Sequence, residues 1–225
     1  MAVGRPREFD VDEALDRALK VFWRKGYEGT TLPNLTAAMG INRPSLYAAF
    51  GNKAALFRRV LARYAEGPAR YVQEALAAPS AREVVERLLR GAIAHLTDPR
   101  NPPGCLTVHG ALACGEECDP VRRELLSMRA AGESAIRRRF ERARAQGDLP
   151  ADASPADLAR FVTTILQGMS IHASGGAGRT ELRRVAAIAL RAWPSPKSRR
   201  AAKAEADLCC PLAASASGLG ERSGS

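Results

Sequence analysis

The 225-residue chain has no apolar run approaching the ~20 residues that a membrane span requires, so no transmembrane helix is expected. Its first ten residues, MAVGRPREFD, lack the apolar stretch of a secretory signal, which points to a cytoplasmic protein. No six-residue segment shows the alternation or β-branched density of a strand, and no internal repeat is visible. The cysteines are Cys105, Cys114, Cys118, Cys209 and Cys210, an odd number in a reducing compartment, which argues against a disulfide framework. Acidic residues are also short: 24 Asp and Glu stand against 34 Lys and Arg, a formal net charge of +10. Such an excess points to an anionic partner, with nucleic acid or an anionic membrane surface as the first candidates. With 46% hydrophobic and 26% charged residues the chain reads as globular, and its length suits one or two domains.

The charge is concentrated. Residues 1–65 hold eleven Lys or Arg and six acids, net +5, whereas residues 66–193 carry only +3. From Pro194 onward the chain is rich in Ala, Ser, Gly and Pro, has almost no large apolar residues and shows no period. It is expected to be a disordered tail over 194–225, with Cys209-Cys210 incidental to it.

Between the ends, apolar spacings of three and four predict helices and an all-α fold. Val11, Leu15, Ala18, Leu19 and Phe22 mark one helix entered at Asp10 and closed at Gly26. Asn52 caps a second, carrying Leu56, Phe57, Val60, Leu61 and Tyr64. A third, from Val84 to Leu96, stops near Asp98-Pro99. Asp119 with Pro120 opens a fourth, reaching about Gly147. Ser154-Pro155 opens a fifth, ending at Ser174-Gly175-Gly176, and Thr180 to Trp193 forms the last.

The most informative stretch is residues 30–56, TTLPNLTAAMGINRPSLYAAFGNKAAL. Thr30 or Thr31 caps a short helix with Leu35, Ala38 and Met39 on its inner face. Gly40 supplies the left-handed residue of a tight turn, Ile41 plugs the corner, and Asn42 caps a second short helix that tolerates Pro44 in its first turn. Two short helices joined through such a turn form a helix-turn-helix. The second helix of this unit enters the major groove with its N-terminal residues at the base edges. Arg43 suits a bidentate pair with guanine, Ser45 donates or accepts, and the Pro44 ring packs on a thymine methyl. The Tyr47 hydroxyl, one turn on, reaches a phosphate. Lys53 and Thr31 stand at helix starts, where backbone N–H groups also favour phosphate. Tyr47 and Phe50 are three apart, a spacing equally typical of core pairs; Phe50 is assigned to the core and Tyr47 to the DNA backbone. Arg5 and Arg7 flank Pro6 and read either as an arm along DNA or as a frayed basic terminus.

These residues, down to Leu46-Tyr47, Phe50 and Lys53-Ala54-Ala55-Leu56, resemble the N-terminal DNA-binding domain of the tetracycline-repressor-type (TetR/AcrR) regulators over roughly residues 9–60. The resemblance implies a homodimer on a pseudopalindromic operator of double-stranded DNA, in most members a repressor released by a small-molecule effector. Its domain division would be 1–52 for the helix-turn-helix domain and 53–193 for a helical ligand-binding and dimerisation domain, with the last two helices as the dimer interface. Small residues there, such as Gly168 and Ala173, would allow close packing. Two positions depart from the family pattern: Pro33-Asn34, where a branched or charged residue followed by an acid is frequent, and Ala48-Ala49, where polar residues are frequent. Fewer side chains therefore reach DNA from the later turns of the second helix.

In PPGCLTVHGALACGEECDP, residues 102–120, Cys105 and His109 are four apart and on a helix would share a face, about 6 Å apart at Cβ. A thiol at a helix start beside an imidazolium would be activated, as an oxidant or electrophile sensor requires. The Gly-Cys-Leu here also resembles one branch of the family, some of whose members sense reactive compounds through that cysteine. The alternative is a buried cysteine that only fills space. Cys114 and Cys118 lack zinc-finger spacing and a second histidine, so no metal and no cofactor is expected. By resemblance the effector pocket lies among the central helices, with Ile93, Leu96, Cys105, Leu106, His109, Met128, Phe161, Ile165, Met169 and His172 as candidate lining.

The expected function is a sequence-specific repressor released by a ligand or by cysteine modification. One rival is a sequence-indifferent basic DNA coater, although a coater would spread its charge. The other is a Cys–His hydrolase or transferase on Cys105 and His109, for which no third orienting group or oxyanion donor is identifiable. No enzymatic activity is expected.

Overall fold

The computed structural model describes residues 9–110 and 119–194. Ten helices account for the regular structure of these residues, with no strand among them: α1 (Val11–Lys25), α2 (Leu32–Met39), α3 (Arg43–Phe50), α4 (Lys53–Glu66), α5 (Tyr71–Leu76), α6 (Ala81–Leu96), α7 (Leu106–His109), α8 (Asp119–Ala145), α9 (Pro155–Ser174) and α10 (Arg179–Arg191). The expected helix starts hold for local reasons. Asp10 Oδ1 accepts from the amides of Asp12 and Glu13, Asn52 Oδ1 from Ala55, and Ser80 and Ser154 hydroxyl oxygens from Glu83 and Asp157.

Three elements differ from the sequence reading. Helix α5 has six residues and no side-chain cap, too short for a periodic signal. Helix α10 starts at Arg179, where the Glu181 carboxylate reaches back to the Gly178 amide at 2.7 Å, and ends at Arg191, two residues before the expected Trp193. Helix α7 is a single turn that starts after Cys105. Cys105 itself is extended (φ −118°, ψ 128°), so Cys105 and His109 are not a pair on one helical face.

The core falls into two clusters. One joins α1 to α4 through Leu15, Phe22, Leu35, Leu46, Phe57 and Leu61, and it takes in Leu106 of α7 and Val121 and Leu125 of α8. The other joins α5, α6, the second half of α8, α9 and α10 through Leu88, Phe140, Val162, Met169 and Leu182. Arg139 is buried, and its guanidinium donates to the carbonyls of Ala78 and Pro79 at 2.8 and 2.9 Å, tying α8 to the turn before α6. The Cys105 side chain packs against both clusters. Arg5, Arg7, Cys114, Cys118, Cys209 and Cys210, and the tail beyond Pro194, lie outside the described residues. No described helix is long and apolar enough to cross a membrane.

Candidate functional site

The helix-turn-helix is built from its caps. The Thr31 hydroxyl oxygen accepts from the Asn34 amide at 3.3 Å while Asn34 Oδ1 accepts from the Thr31 amide at 3.4 Å, a reciprocal box that starts α2. Lys25 donates to the same Asn34 oxygen at 3.0 Å. Thus Asn34, off the family pattern, serves as a cap. Gly40 turns the chain at φ 70°, ψ 28°, a left-handed conformation that a side chain would strain. Asn42 Oδ1 accepts from the Ser45 amide at 2.8 Å and starts α3.

Helix α3 has two faces. Leu46 and Phe50 are buried in the α1–α4 core. Arg43, Pro44 and Tyr47 are exposed, Tyr47 at 47%, and Ser45 is half-buried at the edge between the faces. Phe50 is held from below: the Arg59 guanidinium lies 4.7 Å over its ring while Arg59 donates to the Ala49 carbonyl at 3.1 Å. Arg59 is a supporting residue the sequence reading missed; its only signal was its place nearly two turns along α4. Thr31 is exposed at the start of α2. Lys53 is half-buried, with its ammonium 4.4 Å over the Tyr27 ring.

The second group of expected residues is divided between the two cores and the outward face of α9. Leu106 is buried in the α1–α4 core and Met128 packs half-buried against it, whereas Met169 is buried in the second core with Ile165 at its edge, and Ile93 and Leu96 belong there too. Phe161, 38% exposed, and His172, also exposed, stand on the outward face of α9. Helix α9 carries two apolar stripes, and periodicity alone does not say which one faces in. His109 does not meet the thiol. Its Nε2 lies 3.2 Å from the Ser170 hydroxyl, with the ring against Gly104, whose φ of 82° turns the approach to α7.

The thiol instead has one partner distant in sequence and one two residues on. The Tyr64 hydroxyl donates to Cys105 Sγ at 3.1 Å, and Thr107 Oγ1 lies at the same distance. The Tyr64 oxygen is also 2.8 Å from His95 Nε2. Burial holds the His95 imidazole neutral, with its pKa lowered to about 4 against a smaller opposing effect of Asp98, and burial raises the Tyr64 phenol well above its ordinary value. The Trp23 indole stacks 5.1 Å from the His95 ring and edge-on 4.9 Å from Tyr64.

Comparison with known proteins decides the family. Residues 14–60 match the model of the bacterial regulatory proteins of the tetR family, and residues 81–190 that of the tetracyclin repressor-like C-terminal domain. The HTH-type transcriptional repressor ComR of Escherichia coli is 36% identical over 193 residues, 85% of this chain and 92% of that protein. The chain belongs to the tetR family. It is a helix-turn-helix regulator and not an enzyme. The HTH-type transcriptional repressor BdcR of E. coli is 31% identical over 83% of this chain and 90% of its own length. Among solved structures, a cysteine mutant of the TetR family regulator CifR, complexed with 26-bp double-strand operator DNA, is 48% identical with a TM-score of 0.81, over 84% of this chain and all of that one.

Two further features of this tetR-family chain bear on its regulatory half. The outward faces of α9 and α10 carry exposed Phe161, Ile171, Val185 and Ile188, the last two helices thus presenting an apolar surface. A cleft of about 410 Å³ between α1 and the end of α4 has Trp23, Lys20 and the Asp16–Arg63 ion pair in its wall, and a neighbouring one of about 530 Å³ shares Lys20 and reaches Tyr71 and His95. These open on the seam between the two cores.

Proposed function

We propose that this chain is a cytoplasmic, homodimeric repressor that reads a pseudopalindromic operator with α3 and is released from it by an effector acting near Cys105. The observation that carries the reading is the two-sided α3. Leu46 and Phe50 lock the helix to the core, so that Arg43, Pro44 and Tyr47 project outward with Ser45 beside them. In this reading Arg43 and Ser45 meet base edges, Pro44 packs on a thymine methyl, and Tyr47, Thr31 and Lys53 hold phosphates. A helix fixed from behind by buried side chains presents those groups in one geometry, as sequence reading needs and a charge-driven coater does not. The functional division falls at residues 52 and 53, with α4 contributing its buried face to the DNA head and its far end to the regulatory half.

The exposed apolar faces of α9 and α10 support dimerisation there, since a second copy would remove Phe161, Ile171, Val185 and Ile188 from water. An effector releases the protein only if it binds the form that does not hold DNA more tightly than the form that does.

Selection from a random duplex pool tests the reading. An inverted repeat is expected, and Arg43→Ala is expected to weaken binding to that repeat by about 1–3 kcal/mol while leaving non-specific binding nearly unchanged. Recovery of no motif, or equal losses on both kinds of DNA, would favour a sequence-indifferent coater. Repeating the binding with a thiol oxidant asks whether the effector reaches Cys105.

A further inference from the structure

The segment from Gly104 to Gly110 is bonded to both halves of the molecule. The Trp23 indole N–H, from α1, donates to the Gly104 carbonyl at 3.0 Å in a buried bond. The Tyr27 amide, just past α1, donates to the Gly110 carbonyl at 3.1 Å. Tyr64, near the end of α4, donates to Cys105 Sγ. From the other side His109 bonds Ser170 of α9. Helices α1 and α4 frame the helix-turn-helix and share one core with α2 and α3, while α9 belongs to the second core. A shift of this short segment relative to α9 therefore pulls on the DNA head at three points.

Among these, the Tyr64 hydroxyl is the one whose bonding depends on the chemistry of its partner. It has a single proton. When that proton goes to Cys105 Sγ, the Tyr64 oxygen accepts from His95, which must then carry its proton on Nε2. Each group in the row His95, Tyr64, Cys105 is thereby satisfied, and each is bound to a different element: α6, α4 and the 104–110 segment. We infer that Tyr64 reads the state of Cys105 for the DNA head, and that Tyr64 and Trp23 form the clasp through which the 104–110 segment positions α4 and α1. A sulfur that has gained a substituent cannot sit 3.1 Å from the phenol oxygen in the same space, because the site is packed on both sides by core residues. Tyr64 then loses its acceptor, and the end of α4 is displaced together with the Trp23 ring that lies edge-on against it. Tyr64 is a positioning residue in this scheme; it touches no DNA. The inference rests on the reading of the head as an operator binder only for its functional meaning, because the clasp itself is a property of the free protein.

The test uses the full chain with Cys114, Cys118, Cys209 and Cys210 replaced by serine, so that Cys105 is the remaining thiol. Methyl methanethiosulfonate converts it to a mixed disulfide: the Cys105 sulfur bonds to the methylthio sulfur, methanesulfinate leaves, and the thiol proton goes to solvent. Amide hydrogen exchange in α4 and in residues 104–110 is expected to rise about tenfold on modification, and operator binding to weaken with it. In Tyr64→Phe, which keeps the ring and its packing, α4 is expected to exchange faster before modification and to change less than about threefold after it. Trp23→Phe, which loses only the bond to Gly104 and part of the ring, should blunt the response in the same direction. An α4 response equal in all three proteins, or no response in the parent, overturns the clasp. If α4 responds as expected but no operator is ever recovered, the clasp stands and the repressor reading falls. Operator binding that weakens while α4 exchange stays constant leaves the repressor reading intact and removes the clasp.

Discussion

In the helix-turn-helix, polar side chains stand at helix starts and face water; around Cys105 they are buried and bonded to one another across the chain. Thr31, Asn42 and Asn52 each satisfy an amide three residues away, and the exposed row of α3 keeps its donors for another molecule. Tyr64, His95 and Trp23 are buried with Cys105 half-buried beside them, and their bonds join α4 to α6 and α1 and α4 to the 104–110 segment. The first arrangement leaves recognition groups available on a rigid base. The second couples elements, since buried polar groups in a connected row cannot change one at a time without leaving a donor or acceptor unpaired.

The largest effect that would break this contrast lies in the base beneath the recognition helix. Phe57 of α4 is fully buried, edge-on to Phe22 at 4.9 Å and to Tyr27 at 5.2 Å. Phe57→Ala is expected to cost about 3–5 kcal/mol in urea unfolding and to take operator binding with it. Phe140→Ala, in the second core against Trp193, is expected to cost a similar amount. Because Leu106, Val121 and Leu125 belong to the head's core, the Phe57 variant should also loosen α7 and the start of α8. Hydrogen exchange confined to α1–α4 in that variant would show that the two halves are independent.

The second prediction concerns the buried row. The His95 imidazole titrates near pH 4 in the folded protein against about 6.5 when free. As the pH falls below 6.5 the unfolded chain takes up the proton first, so His95 leaves stability complete above pH 6.5 and erodes it until pH 4. The loss is up to about 3 kcal/mol from this group alone. His95→Gln retains a donor for Tyr64 without titrating, and is expected to flatten the fall in melting temperature between pH 6.5 and 4. An unchanged slope would mean that the imidazole is not held neutral by its surroundings. The Asp16–Arg63 pair acts outside this window, because arginine lowers a carboxyl that already titrates below pH 4.

The same contrast explains what was legible in the sequence. Caps, the Gly40 turn and the buried side of α3 depend on residues within four positions of one another, so Asp10, Asn42, Asn52 and Phe50 could be placed from local sequence alone. The expected partner of Cys105 was His109, four residues away. Its distant partner is Tyr64, 41 positions away, while Trp23 reaches the neighbouring Gly104 across 81, and no local period records such distances. The same limit turned Phe161 and His172 the wrong way: α9 is apolar on two sides, and only the packing of α6, α8 and α10 determines which is inside.

The smallest effect belongs to Lys53, where the two styles of polar side chain meet. Its place at the start of α4 suits a phosphate, yet its ammonium lies over the Tyr27 ring, itself stacked 6.2 Å from Phe22. A cation above an aromatic face at a partly exposed site contributes about 0.5–1 kcal/mol. A phosphate contact instead appears in the salt dependence of binding, because each neutralised phosphate releases counterion. The two roles are compatible, since the ring holds the ammonium at the helix start where DNA would pass. Lys53→Ala is therefore expected to flatten the slope of log affinity against log salt by about one unit on every sequence alike, with at most a small loss of thermal stability. A lowered melting temperature with an unchanged salt slope would assign Lys53 to the internal, structural use of polar groups. Lys53→Arg separates the contributions further, because it keeps both the charge and the stacking and should leave slope and stability near those of the parent.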